Sequence, residues 1–210
     1  MTQSPKKLPR GRPPTISRDR IVEAAIEIGI PKITFVGVAE KLGVSHMALY
    51  NHVDGLEALK TLVAETIFLK WELPHWTPEI ALRDYLVKLA SSMWKLVETH
   101  QGITPYLLRR DMITPAIEER ISHHQQRLAK AYNLSLIQAH WLAFTISYHT
   151  LSVADSVLPD NRDEADLTRY QSDLGIPGID DEYAIGIQAL IIGCLSVLDT
   201  ISEKEQGTHA

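Results

Sequence analysis

Residues 38–53 constrain the fold more than any other part of this chain. Their sequence, Val-Ala-Glu-Lys-Leu-Gly-Val-Ser-His-Met-Ala-Leu-Tyr-Asn-His-Val, predicts two short helices joined by a tight turn. Gly43 stands where the backbone must bend, and glycine tolerates a positive φ better than other residues. Small Ala39 allows the helices to cross closely, with Leu49 and Val53 facing inward. The pattern predicts a helix-turn-helix, whose second helix enters the major groove of DNA.

The outward side of the second helix carries candidate DNA contacts. Ser45 begins this helix and can cap it through its hydroxyl. Asn51 could pair with adenine, or be an ordinary exposed residue. Met47 could contact a thymine methyl, or fill a gap. The side chains predicted to face outward are Ser45, His46, Met47, Tyr50 and Asn51.

The charge of the chain is unevenly distributed. Its net charge is -5, but residues 1–60 hold nine Lys and Arg against six Asp and Glu. Attraction to phosphate acts locally, because salt screens it over about 8–10 Å. A basic head on an acidic body is therefore compatible with DNA binding. Arg10 and Arg12 lie in the proline-rich residues 1–16, which we expect to be a flexible arm that either aids solubility or enters a minor groove.

Composition favours a soluble, cytoplasmic protein without a membrane partner. The single cysteine, Cys194, excludes an intramolecular disulfide and suits a reducing compartment. The basic residues near the N-terminus are not followed by an apolar run, so we expect no signal peptide. The longest apolar stretch, residues 184–198, is shorter than the about 20 residues that a membrane span requires.

From residue 17 onward, apolar residues recur with helical spacing, and no stretch alternates like a strand. We predict an all-α fold. Residues 17–72 form an N-terminal three-helix bundle with the helix-turn-helix, and residues 73–210 form a larger helical domain for ligand binding and dimerisation. The predicted helix starts are Ser17, Thr34, Ser45, Asp54 with Glu57, Thr77, Tyr106, Thr114 with Pro115, Ser135, Asp166 and Asp180 with Asp181.

The larger domain carries aromatic, methionine and histidine side chains on helices that we expect to pack together. Each of them fits a plain core when taken singly. Together, an aromatic and methionine-rich interior with a few polar groups suits a pocket for a small apolar or amphipathic effector. The candidate ligand-binding residues are Met93, Trp94, Tyr106, Met112, His124, Trp141, Phe144 and Tyr148.

The last predicted helix is apolar on nearly every side. The core of one protomer can cover only part of that circumference, so a second face needs a partner. Gly186, Ala189 and Gly193 would permit close approach of another helix. Pairing with the helix at residues 135–157 would give a four-helix dimer bundle. A central helix in a monomer is the alternative. The candidate dimer contacts are Ile187, Leu190, Ile191 and Cys194.

Catalytic and metal chemistry find little support in the sequence. The His123-His124 and His140/His149 pairs lack ligand spacing with a nearby carboxylate or cysteine, so we expect neither a metal nor a cofactor. Nucleophile–base spacings, phosphate-cradling glycine loops and paired carboxylates are absent from the sequence. We therefore expect a protein that is not an enzyme. An all-α enzyme with a purely structural hairpin and a protein-interaction dimer remain as alternatives.

Several of these residues also match a known family. Thr34, residues 38–45, residues 49–53 and Leu59 resemble the tetracycline-repressor (TetR) family of bacterial regulators. The match covers residues 17–65, and the last helix resembles the C-terminal domains of the same family. The resemblance implies a homodimeric transcriptional repressor that reads a palindromic double-stranded operator, with half-sites about 34–36 Å apart, and that a small effector releases. An activator or a regulator without a ligand remains open.

The resemblance also implies individual roles. Tyr50 and His52 would contact phosphates, and Thr34 would bind a backbone phosphate, while the other outward residues face base edges. The sequence departs from the family at Asp54-Gly55-Leu56, where the family often has a lysine; Lys60 or the basic arm could replace that contact. Val36 stands where the tetracycline repressor has a base-reading arginine, so the operator sequence cannot be transferred.

Overall fold

The computed structural model describes residues 16–77, 79–158 and 173–202, and these form nine α-helices with no named β-strand. The predicted all-α fold is confirmed. The helices are α1 (Arg18–Ile28), α2 (Phe35–Leu42), α3 (His46–Leu49), α4 (Leu56–Lys70), α5 (Leu82–Thr99), α6 (Thr104–Leu108), α7 (Pro115–Tyr132), α8 (Leu136–Val157) and α9 (Asp181–Val197).

The first four helices form a compact head. Helix α1 packs against α2 and α4, and α2 packs against α3. Ile21, Leu49 and Leu59 are fully buried where these helices meet. Burial of side chains of this size contributes about 1.5–3 kcal/mol each to folding. The head is thus a small bundle that holds α3 from its inner side.

Side-chain caps begin several helices where the sequence predicted them. The Ser17 hydroxyl accepts a hydrogen bond from the Arg20 amide, and the Thr34 hydroxyl accepts one from the Gly37 amide. Ser135 begins α8 with a complete capping box: its hydroxyl accepts a hydrogen bond from the Gln138 amide, and the Gln138 side-chain oxygen accepts one from the Ser135 amide. Such caps satisfy amide groups that the first turn leaves without a helical partner.

Two predicted caps of the head differ. Ser45 stands at the N-cap of α3, but its hydroxyl makes no capping hydrogen bond. The predicted capping box of Asp54 and Glu57 is wrong, because Gly55 is the N-cap of α4. Gly55 has a φ of 121°, a conformation that glycine adopts readily. The chain enters the helix directly after Gly55, so Asp54 lies one residue before the N-cap position.

The body is organised around α5, which packs against α8 and α9, while α7 packs against α8 and α4. Helix α5 begins at Leu82 rather than at the predicted residue 77, because residues 72–77 run without helical structure. Helix α6 begins at Thr104, two residues before the prediction. Helix α9 ends at Val197 and continues as a short 3₁₀ turn. The predicted helix at residues 166–174 falls almost entirely outside the described residues.

Among the described residues, the segment Asp181–Thr200 is long and apolar enough to cross a membrane by length and composition, with a mean hydropathy of 1.6. A core helix of a soluble protein meets the same criterion. The helix α9 within this segment packs against α5 and α8 in the body. The finding alone is therefore weak support for a membrane span.

Candidate nucleic-acid interface and ligand cavities

The turn between α2 and α3 has the geometry that the sequence predicted. Gly43 adopts the left-handed conformation with φ 67° and ψ 36°. Its amide donates to the Glu40 carbonyl at 3.1 Å, and the Val44 amide donates to the Ala39 carbonyl at 3.0 Å. These bonds satisfy the last carbonyls of α2 and redirect the chain into α3. A side chain at position 43 would be strained by the backbone conformation, although the surrounding space is open.

Helix α3 is shorter than the helix predicted through Val53, because it ends at Leu49 and residues 50–52 form a turn, but the predicted outward face is exposed. Leu49 is fully buried, whereas Met47 is 62% exposed and Tyr50 is 51% exposed. Ser45, His46, Asn51 and His52 are also exposed. The predicted outward orientation is therefore confirmed, whereas the individual DNA contacts stay predictions.

The Tyr50 ring is held in place by α2. It stacks on the Phe35 ring, with centroids 4.5 Å apart and planes 13° apart. Phe35 is itself buried and directly follows Thr34, the N-cap of α2. Tyr50 thus combines an anchored ring with an accessible surface.

Of the remaining predicted contacts of the head, the structure describes Thr34 and Lys60. Thr34 is exposed, and its hydroxyl oxygen accepts from the Gly37 amide at 3.0 Å, which leaves its hydrogen available as a donor. Lys60 forms an ion pair with Glu57 at 3.5 Å, so part of its charge is already compensated. Arg10 and Arg12 lie outside the described residues.

Two cavities flank the segment that joins α4 to α5. A cavity of about 1100 Å³ lies between α1, the end of α4 and α5. A second cavity of about 940 Å³ lies between the joining segment and α7. Of the predicted ligand-binding residues, His124 lines one of these two cavities, whereas Met93, Trp94 and Tyr106 are buried in the body. Met112 and Trp141 are half-buried and line neither cavity.

The predicted interior position of Phe144 and Tyr148 is wrong. Both side chains lie on an outward face of α8, 52% and 48% exposed, with ring centroids 5.5 Å apart. Leu136 and His140 precede them at intervals of four residues, so the four side chains form one stripe. Helix α8 is apolar on most sides, and its sequence pattern therefore did not distinguish the inward face from the outward one.

The predicted dimer contacts on α9 need the same correction. Ile187 and Ile191 are fully buried and Cys194 is 4% exposed, so these three side chains belong to the core of one protomer. Leu190 is half-buried. The outward face of α9 instead carries the side chains of Ile192 and Val197, together with Gly186, Ala189 and Gly193. Added Cβ atoms at both glycines would meet open space.

A hydrogen-bonded pair of polar side chains, buried Tyr85 and half-buried His124, lines the second cavity. The Tyr85 hydroxyl and His124 Nε2 are hydrogen-bonded at 2.8 Å. Burial is the main cause that raises the pKa of Tyr85 to about 12. Burial, followed by the charges of Arg127 and Arg120, lowers the pKa of His124 to about 4. Both groups are therefore neutral at pH 7.

The sequence reasoning did not identify the cationic side chains of this cavity. Arg120, Arg127 and Lys130 line it from α7. The spacing of Arg120, His124 and Arg127 places them on one helical face, which is the signal that could have revealed them. Among the described residues there is no group of three or more His, Cys, Asp or Glu side chains that could hold a metal ion.

No family model matches the sequence. The HTH-type transcriptional repressor DrrR1 of Streptomyces coeruleorubidus is 30% identical over 112 residues, which are 51% of this chain and 40% of DrrR1. The chain thus spans about two-fifths of the length of that curated relative.

Solved structures match over most of the chain. Apo ActR from Streptomyces coelicolor is 18% identical with a TM-score of 0.69, covering 92% of this chain and 100% of ActR. The TetR family protein ActR in complex with actinorhodin is 18% identical with a TM-score of 0.61, covering 88% and 99%. BioQ with its double-stranded DNA operator is 19% identical with a TM-score of 0.61, covering 87% and 99%.

The fold and the exposed α3 define a helix-turn-helix head on an all-α body. More specifically, the chain has the fold of the TetR family of regulators. The resemblance inferred from the sequence is thereby confirmed at the level of the fold.

Proposed function

We propose that this chain is a sequence-specific DNA-binding transcriptional repressor that a small molecule releases from its operator. The observation that carries this proposal is the outward surface of α3, where Met47 and Tyr50 are exposed above a fully buried Leu49. A large apolar side chain exposed on a short, well-supported helix has no role in the core of the head. Such a helix fits the major groove of B-DNA, which is about 12 Å wide. The similarity to a curated repressor, DrrR1, supports the same function.

The proposed DNA contacts are of two kinds, contacts to phosphates and contacts to base edges. Tyr50, His52 and Thr34 contact phosphates and set the position of α3, while Ser45, His46, Met47 and Asn51 face base edges. The structure of BioQ, which contains its DNA operator, is a precedent for DNA binding by this fold. Phosphate contacts determine affinity, and base contacts determine sequence preference.

The protein acts as a homodimer through the outward faces of α8 and α9. Leu136, Phe144 and Tyr148 on α8, together with Ile192 and Val197 on α9, are large apolar side chains exposed in one protomer. Gly186 and Gly193 leave room for close contact with a partner helix. A two-fold axis there presents two copies of α3 to a palindromic operator.

A small apolar or amphipathic effector controls the DNA-binding state. Both large cavities border the segment between α4 and α5, which connects the head to the body. A ligand shifts an equilibrium between two conformations only when it binds them with different affinity. A site at this junction meets that condition, because movement of the head changes its walls. ActR, which has the same fold, is known in complex with actinorhodin.

We further infer that the protein works in the cytoplasm, where operator DNA lies, and that it binds its ligands without catalysis. The alternative function is that of an activator or of a regulator without a ligand. Whether a bound regulator represses or activates depends on the position of its operator.

Selection of bound sequences from a random double-stranded DNA pool by the full chain tests the proposal. We expect a palindrome with half-sites about one helical turn apart. Binding should weaken steeply between about 50 and 200 mM salt. Failure to enrich any palindrome, or absence of binding to all duplexes at low salt, would overturn the proposal.

A further inference from the structure

The second cavity, which we name the α7 cleft, lies beside the only covalent connection between head and body. One wall is α7, and the opposite wall consists of residues 72–76, which follow α4. Tyr85 of α5 forms the floor together with His124. The cleft has a volume of about 940 Å³, which is within the usual range for a small-molecule site.

The α7 cleft contains cationic side chains that form no ion pair within 4 Å among the described residues. Arg120, Arg127 and Lys130 line it, alongside the carboxylates of Glu72 and Glu119. Ion pairs within the described ranges of the chain involve none of these five side chains. Arg127 is near enough to Tyr85 and His124 to influence the pKa of each. The Arg127 charge therefore acts on both groups of the cleft floor.

Aromatic rings supply the apolar surface of the same cleft. Trp76 meets Tyr132 edge to face, with centroids 6.1 Å apart, and Tyr132 lies 6.0 Å from Tyr85. The Tyr132 hydroxyl donates to the Ile80 carbonyl at 3.1 Å, which anchors this ring to the segment before α5. Flat rings of this kind bind a planar ligand through stacking or edge contacts.

The floor of the cleft offers hydrogen bonds without charge. Tyr85 and His124 are hydrogen-bonded to each other, and both are neutral at pH 7. A ligand anion therefore finds its charge partners in Arg127 and Lys130. Arginine presents a planar fork that matches a carboxylate in a bidentate pair.

We propose that the α7 cleft binds a planar aromatic carboxylate, with its ring against the Trp76 and Tyr132 wall and its carboxylate facing Arg127 and Lys130. The aromatic wall and the two cations both contribute to binding. A simple anion and a neutral arene of the same shape therefore each bind more weakly than the aromatic carboxylate. Binding itself is independent of DNA. The role of such a ligand as the effector rests on the proposed function.

The cleft is connected to the head through Arg120. Its guanidinium Nη2 donates to the backbone carbonyl of Trp71, the residue that caps the C-terminal end of α4. Its Nε is buried without a hydrogen-bond partner. An anion held by Arg127 and Lys130 also attracts the Arg120 guanidinium, which lines the same cleft, and in this way competes with the Trp71 carbonyl for it. Because of this competition, the ligand has different affinities for two positions of α4, one in which Arg120 is bonded to the Trp71 carbonyl and one in which it is not. An effector requires such a difference in affinity.

Calorimetric titration of the DNA-free full chain at about pH 7.5, where the carboxylate is ionised, tests the site. The probes are 2-naphthoate, its neutral counterpart 2-naphthamide, and acetate. We expect naphthoate to bind at least roughly tenfold more tightly than the other two, which corresponds to one charge-assisted hydrogen bond. Arg127→Gln should remove this preference, while Lys88→Gln, on the wall of the other cavity, should leave it unchanged.

The outcomes separate this proposal from the proposed function. Equal binding of naphthoate and naphthamide, equal binding of acetate, or an unchanged naphthoate affinity in a folded Arg127→Gln variant would each overturn the site. A preference for naphthoate that depends on Arg127 supports the site even when the chain ignores every DNA duplex. That last result would overturn the proposed function alone.

Discussion

The ring of Tyr50, the C-cap residue of α3, lies flat against the Phe35 ring on α2, with centroids 4.5 Å apart. This stack explains how Tyr50 is half exposed and still held against the head. Its ring contributes to the packing of the two helices of the helix-turn-helix, and its hydroxyl remains for another partner. The two parts of Tyr50 can therefore be tested separately.

Tyr50→Phe keeps the stack and removes the hydroxyl. We expect DNA affinity to fall by about 1 kcal/mol, roughly fivefold, to the same extent on operator and unrelated duplexes. Tyr50→Ala should cost more, because it also removes the ring that packs on Phe35. Fluorescence anisotropy with labelled duplexes measures both effects. A changed base preference in Tyr50→Phe would contradict the phosphate role.

Ile192→Glu on the outward face of α9 should convert the dimer to a monomer. The substitution places two carboxylates near the two-fold axis in a region that a dimer would keep dry. Analytical ultracentrifugation at micromolar protein gives the mass directly. Val36→Glu is the matched control, because Val36 is similarly exposed but lies on α2. A dimeric Ile192→Glu protein would remove α9 from the interface.

Stability should fall between pH 6.5 and pH 4 because of His124. Its pKa is about 4 in the folded protein, below the ordinary value of 6.5. In that window the unfolded chain binds a proton that the folded protein does not, so lowering the pH favours unfolding. The loss amounts to about 2 kcal/mol at pH 5. Urea unfolding of the parent protein and of His124→Gln, which does not titrate, isolates this contribution. Parallel pH profiles for the two proteins would show that His124 titrates normally.

Arg120→Met should destabilise the junction between head and body. It removes the donor to the Trp71 carbonyl while retaining an apolar side chain, and we expect a loss of about 1–3 kcal/mol in the free energy of unfolding. Arg109→Met is the control, since Arg109 pairs with Asp111 on the surface and should contribute less than about 1 kcal/mol. Thermal or urea unfolding measures both. Equal effects would indicate that the Trp71 contact is unimportant.

Helix starts and the helix-turn-helix could be predicted from the sequence because their determinants are local. The caps at Ser17, Thr34 and Ser135 depend on three or four neighbouring residues, and so does the turn at Gly43. The predicted starts at Asp54, Thr77 and Tyr106 are exceptions, and at Asp54 the conformation of its neighbour Gly55 decided the start of α4.

The direction of helix faces in the body could not be predicted in the same way. Helices α8 and α9 are apolar around most of their circumference, so periodicity did not separate the core side from the outer side. For this reason Phe144 was expected inside and Ile187 outside, whereas the structure has the reverse. The α7 cleft combines elements about fifty residues apart in sequence, and local patterns carry no information about such a meeting.

Trp71, at the C-terminal end of α4, is hydrogen-bonded to two other helices. Its indole N–H donates to the Ser92 hydroxyl of α5 at 3.0 Å, and its carbonyl accepts from the Arg120 guanidinium of α7. The 15 residues of α4 form a rod about 22 Å long. Tilting such a rod by about 5° displaces its far tip by about 2 Å. Under the proposed function, a loosened contact at Trp71 is thereby amplified into a mismatch between the α3 helices and the DNA grooves, far from the α7 cleft.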